Sequence, residues 1–102
     1  KNITIPENEI IYAQADNIYA EVVTAQGIFL YSNKISLLVK KLNEEYFYRS
    51  NRSYIVNFNY IIGYSKKEIE FSNGQKALIS SSKFKDFKSK YLNYLKRKSI
   101  GE

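Results

Sequence analysis

Phe47-Tyr48-Arg49-Ser50-Asn51-Arg52-Ser53-Tyr54-Ile55-Val56-Asn57 sets a polar, cationic segment, Arg49 to Ser53, between an aromatic anchor and a short β-type run, Tyr54 to Val56. A loop held at both ends by apolar anchors presents its side chains in fixed positions, and binding residues are often carried on such loops. The expectation is a loop that reads nucleic acid, with the rest of the chain as its scaffold.

Working back from it, Ile35, Leu38, Val39 and Leu42 recur at i, i+3, i+4 and i+7, the spacing of an amphipathic helix, with Ser32 or Asn33 as candidate N-cap. Before that helix the pattern is a β-meander. Glu9 to Ala15 and Ile18 to Thr24 are expected to pair through a tight turn at Asp16-Asn17, and Thr24 to Gly27 to lead into a strand over Ile28 to Tyr31. Residues 2 to 5 read as a short edge strand closed by Pro6.

Working forward, Asn59 to Ser65 carries Tyr60, Ile62 and Tyr64 on one face. Asn73-Gly74 sits between the alternating runs Glu68 to Ser72 and Gln75 to Ile79, and predicts a hairpin with a two-residue type I′ turn. Ser80, Ser81 and Ser82 are N-cap candidates for a last helix over residues 83 to 97, whose stripe is Phe84, Phe87, Tyr91, Tyr94 and Leu95. A membrane-surface helix would share this pattern, but a small β domain needs a cover for its apolar face, so a docked helix is the preferred reading. The fold class expected is mainly β, with short antiparallel sheets, one internal helix and one C-terminal helix.

The 102 residues fit one domain, 44% apolar and 16% aromatic, which is enough to bury a core. There is no Cys and no His, so disulfides, thiolate chemistry, imidazole catalysis and the usual zinc ligands are absent. No paired catalytic carboxylates or glycine-rich phosphate loop is present, and the adjacent Glu44-Glu45 would diverge on a helix. The reading is a binding module, not an enzyme, with no cofactor and no metal. No apolar run approaches the roughly 20 residues of a membrane span, so a cytoplasmic location is expected. A natural translation product begins with Met, so the absence of Met suggests a fragment or processed form, with another domain missing.

Charge is unevenly distributed. Residues 1–33 carry a net −3 and residues 34–102 a net +9, a bias that suits a polyanion. Three basic or polar clusters fall at junctions between elements: Tyr31 to Lys34, Arg49 to Ser53, and Ser80 to Lys85. Cations and helix-start N–H groups suit phosphate, while Asn and Arg suit base edges, Asn with adenine and Arg with guanine. The candidate DNA contacts are Asn33, Lys34, Asn51, Arg52, Ser53, Ser82, Lys83 and Lys85, with Asn51 and Arg52 as base readers. Arg49 fits a support of the loop, and Asn57 one that fixes a turn through its own backbone. The alternative is a β-rich RNA-binding or protein-interaction module that uses its tyrosines.

The pattern Phe-x-Arg-x-x-Arg-Ser-x-x-Val-Asn, here Phe47, Arg49, Arg52, Ser53, Val56 and Asn57, resembles the LytTR family of bacterial DNA-binding domains. The helix before it, Tyr60-Ile61-Ile62, the Asn73-Gly74 hairpin and the helix start from Ile79-Ser80 to Phe87 extend the resemblance over roughly residues 8 to 95. It implies a mainly β output domain of a response regulator in a two-component system. Such domains bind double-stranded DNA at promoter repeats as pairs, with loops in successive major grooves. Carried over, the family's base-reading His falls on Asn51, its pre-helix contact on Lys34, and its third contact, often Arg, on Ser82 beside Lys83. Asn for His and Ser for Arg are departures from the family's residues.

Overall fold

The computed structural model describes residues 4–100. Two antiparallel sheets and two helices follow from the alternating runs. The first sheet has five strands, β1 (Ile10–Asp16), β2 (Tyr19–Thr24), β3 (Gly27–Tyr31), β4 (Phe47–Asn51) and β5 (Tyr54–Asn57), in the order β3-β2-β1-β5-β4. The second has three, β6 (Ile61–Tyr64), β7 (Glu68–Phe71) and β8 (Lys76–Leu78), in sequence order. Helix α1 (Ile35–Lys41) links β3 to β4, and α2 (Phe84–Ile100) closes the chain.

The inner strands β1 and β5 are buried on both faces, while the outer strand β3 stays largely exposed, which explains why the inner strands alternate less cleanly than half-exposed ones. One face carries Ala13, Ala20, Val22, Phe47 and Ile55 under Ile35 and Leu38 of α1. The other carries Tyr12, Val23 and Val56 against Phe58, Ile69, Phe71 and Ala77, with Phe87 and Tyr94 of α2. A bulge in β1 between Ile10 and Tyr12 lets Ile10 serve the first core while Ile11 and Tyr12 serve the second. The stripe of α2 is narrower than its sequence implies: Phe87 and Tyr94 are buried, whereas Leu92 and Leu95 are exposed.

Several boundaries differ from the sequence expectation. The first turn is Asn17-Ile18, because Asn17 takes φ 62°, a conformation Asn tolerates, and Asp16 pairs with Tyr19. Neither Ser32 nor Asn33 caps α1. The chain stays extended through Lys34, whose carbonyl accepts from the N–H groups of Leu37 and Leu38, so the cap is a backbone one. The contact loop is shorter than Arg49 to Ser53, since β4 continues to Asn51 and leaves only Arg52-Ser53 between the strands.

The Asn73-Gly74 hairpin forms, but with a three-residue loop, Ser72 to Gly74. Gly74 donates to the Phe71 carbonyl and alone takes positive φ, 88°, so the turn is a type I followed by a left-handed glycine and not type I′. Residues 58–60 form a short 3-10 helix before β6, and a bulge between Ile61 and Gly63 breaks the expected alternation there. Ahead of α2, Ser81–Lys83 form a 3-10 turn that Ser80 begins through its carbonyl, accepting from the Lys83 N–H at 2.9 Å. Of the expected edge strand, Asn2 and Ile3 lie outside the described residues, and Thr4 and Ile5 are in no strand.

Candidate nucleic-acid interface

Strand direction alone collects two of the three basic clusters. β1, β3 and β4 all end at one edge of the five-stranded sheet, as the pairings Asp16 with Tyr19, Ala20 with Tyr31 and Asn51 with Tyr54 require. The Asn17-Ile18 turn, the Ser32 to Lys34 linker and the Arg52-Ser53 turn are therefore neighbours, although about 35 residues separate the first from the last in sequence.

The Arg52-Ser53 turn is fixed from several sides. Arg49 Nη2 donates to the Arg52 carbonyl at 2.6 Å. Asn51 Oδ1 accepts from the Ser53 N–H at 2.9 Å, and the Ser53 carbonyl accepts from the Ala15 N–H at 2.8 Å. Together these hold the backbone while leaving the Arg52 side chain exposed at the tip. The register of β4 against β5 shifts between Tyr48 and Asn51, so Arg49 and Ser50 lie in a bulge, a device that re-aims side chains beside binding sites. Ser50 is fully buried. Its Oγ donates to the Leu78 carbonyl at 2.8 Å, and its own carbonyl accepts from the Ser80 N–H at 2.8 Å, which docks the β8–α2 linker onto the hairpin.

That docking brings the third cluster to the same place. Asn51 Nδ2 donates to Ser80 Oγ at 3.3 Å, so the Ser80 hydroxyl is engaged with the hairpin instead of capping α2. Lys83 Nζ donates to the Arg49 carbonyl at 3.1 Å and lies 5.9 Å from the Tyr48 ring centroid, within reach of its π face. Tyr48 completes the joint by donating to Asp86 Oδ2 at 2.8 Å. Burial first, then the Asp86 bond and its charge, push the Tyr48 phenol well above its ordinary value.

Between the hairpin and the start of α1 lies an open depression of about 400 Å³, lined by Ala15, Asn17, Lys34, Ile35, Ser36, Arg49, Arg52 and Ser53. Three cations and no carboxylate face it. Among the described residues the ion pairs are Lys76–Glu68 and Lys90–Asp86, both elsewhere. Such a concentration of unneutralised charge with hydroxyl and amide groups matches what phosphate contacts use.

The structure thus gathers Lys34, Arg52 and Ser53 around one depression, with Asn51 and Lys83 adjoining through Ser80 and Arg49. Asn33, Ser82 and Lys85 do not line it; all three are exposed on the surrounding surface. Asn57 does fix a turn, its Oδ1 accepting from the Asn59 N–H at 2.9 Å. Asn17, Ser36 and Arg49 belong to the depression without having been expected there. Strand direction could have found Asn17, because the first hairpin turn must share an edge with the Arg52-Ser53 turn. The tyrosines available for base stacking are fewer than the sequence suggests: Tyr12 stacks on Phe71 at 5.0 Å, and Tyr48, Tyr91 and Tyr94 sit among Phe58 and Phe87. No helix among the described residues is long and apolar enough to cross a membrane.

Residues 1–92 match the family described as LytTr DNA-binding domain. A solved structure from Bacillus cereus, described as the LytTr DNA-binding domain of a methyl-accepting/DNA response regulator, has a similar fold: TM-score 0.75 at 22% identity, over 88% of this chain and 86% of that one. No curated protein matches the chain in sequence.

Proposed function

The chain belongs to the LytTR family of DNA-binding domains, and from that premise we propose that it recognises specific duplex sequences in promoters as the output domain of a response regulator. The observation that carries this reading is the convergence of three basic clusters at one edge of a rigid sheet, with Arg52 exposed at a turn whose backbone is held by Arg49, Asn51 and Ala15. A preorganised guanidinium at the tip of a hairpin suits guanine, whose O6 and N7 accept a bidentate pair in the major groove.

Asn51 takes a supporting part in this scheme in addition to any base contact, since both ends of its amide are engaged within the protein. Lys34, Lys83 and Lys85, with the polar Asn33, Ser53 and Ser82, contact the backbone on either side and supply most of the affinity. Two such domains on repeated sites would place their hairpins in successive grooves, and an attached regulatory domain would govern their pairing.

Selection of bound sequences from a random duplex pool tests the proposal, and a recovered pair of repeats is the expected result. On the selected duplex, Arg52→Ala is expected to cost about 1–3 kcal/mol and to relax the preference at one position. Equal binding and equal preference by wild type and Arg52→Ala would remove Arg52 as the reader.

A further inference from the structure

The guanidinium of Arg49 is not used up by the hairpin. One terminal nitrogen holds the Arg52 carbonyl, yet the Nε–H is shut off from solvent and has no partner. A buried donor left unpaired costs free energy, and such groups in native structures call for an explanation, an ion among them. Arg49 also lines the depression that Lys34 and Arg52 share, where no carboxylate offsets their charge. Ser53, Ser36 and Asn17 add neutral hydrogen-bonding groups around the same space.

Resting on the DNA-binding reading above, we propose that this depression seats one phosphodiester of the DNA backbone between Lys34 and Arg49. Arg49 is then a phosphate contact as well as a support of the turn. Charge-assisted bonds from a guanidinium suit phosphate oxygens, and an oxygen entering the depression is the acceptor that the Nε–H lacks. The arrangement gives the seat a second consequence. Because Arg49 also grips the Arg52 carbonyl, the seated phosphate fixes where Arg52 stands over the bases and sets the register of reading.

The test is a scan of neutral methylphosphonate linkages, one at a time, through the duplex obtained by selection. Wild type is expected to lose on the order of tenfold in affinity at one linkage per bound domain. That same linkage should become indifferent in Arg49→Met and in Lys34→Met. Lys34 is exposed, so its variant keeps the test valid even if Arg49→Met fails to fold. If wild type binds the unmodified duplex but no linkage is silenced by both substitutions, or by Lys34→Met when Arg49→Met is unfolded, the phosphate seat is wrong and the DNA-binding reading stands. If wild type binds no duplex from the pool, the DNA-binding reading itself fails, and the seat with it.

Discussion

Two depressions of nearly equal size lie at opposite ends of the five-stranded sheet, about 400 Å³ at the Arg52 end and about 410 Å³ at the other. The far one is lined by Glu7, Asn8, Asn43, Tyr46, Phe47, Asn57, Asn59 and Lys98. Its polar groups are largely spent on the protein. Asn57 Nδ2 donates to the Ile10 carbonyl at 2.7 Å, Asn43 Oδ1 accepts from Glu45 N–H at 2.9 Å, and Asn59 Oδ1 accepts from the Tyr94 hydroxyl. Glu7 and Lys98 set opposite charges across it. At the Arg52 end three cations face the space with no carboxylate, and one buried donor is unpaired. Volume does not separate the proposed binding surface from the structural joint; uncommitted charge does.

The sharpest way to break that contrast is to cut the far joint. Asn57 is fully buried and ties β5 to Ile10 and to the Asn59 turn. Asn57→Ala leaves the Ile10 carbonyl without that donor, which is expected to lower the unfolding free energy by about 1–3 kcal/mol in urea titration. Duplex affinity of the folded protein should not change. Loss of DNA binding at unchanged stability would reverse the roles assigned to the two ends.

A smaller effect separates a charge that meets DNA from one that only props the hairpin. Lys83 touches the Arg49 carbonyl and the face of Tyr48, so its structure alone is compatible with either part. Lys83→Met is expected to weaken binding alike on selected and scrambled duplexes, and to lower the slope of log affinity against log salt by about one. An unchanged slope with lost sequence preference would make Lys83 a prop for the Arg52 turn.

Most of the architecture was legible in the sequence because it rests on periodicity. The i, i+3, i+4, i+7 spacing of Ile35 to Leu42, the i, i+3, i+7, i+10 spacing of Phe84 to Tyr94, and the alternating runs around Asn73-Gly74 each became the element they implied. What periodicity does not carry is the local accounting of hydrogen bonds. Ser80 reads as a cap, but its hydroxyl accepts from Asn51, a residue 29 positions earlier, and that choice is made by the docking of β8 on β4. The Arg49–Ser50 bulge was hidden for the same reason, since an extra residue in one strand is defined only against its partner. The candidate site was legible only as three separate clusters; their meeting point depends on strand order, and the depression with Asn17 and Arg49 followed from it.

The least of the expected effects concerns what holds Lys83 in place. Tyr48 donates to Asp86 and lies under Lys83, and its phenol is held above the ordinary value near 10, first by burial and then by Asp86. A group protonated more tightly in the folded state supports stability below its unfolded value and loses that support as pH rises past it. The unfolded chain therefore releases the Tyr48 proton first, and stability falls with pH above about 10. Tyr48→Phe removes this contribution, so its alkaline loss of stability should be shallower than that of wild type. Tyr12 and Tyr91, raised mainly by burial as well, keep the remainder. At neutral pH the same substitution leaves Asp86 Oδ2 with the Lys90 ion pair but without the hydroxyl at 2.8 Å, so that it competes for the Lys83 ammonium. A slight drop in duplex affinity, vanishing in the Lys83→Met background, is the expected signature in a double-mutant cycle. Additive losses would show that Tyr48 and Lys83 act separately, and that the cationic end does not depend on this joint.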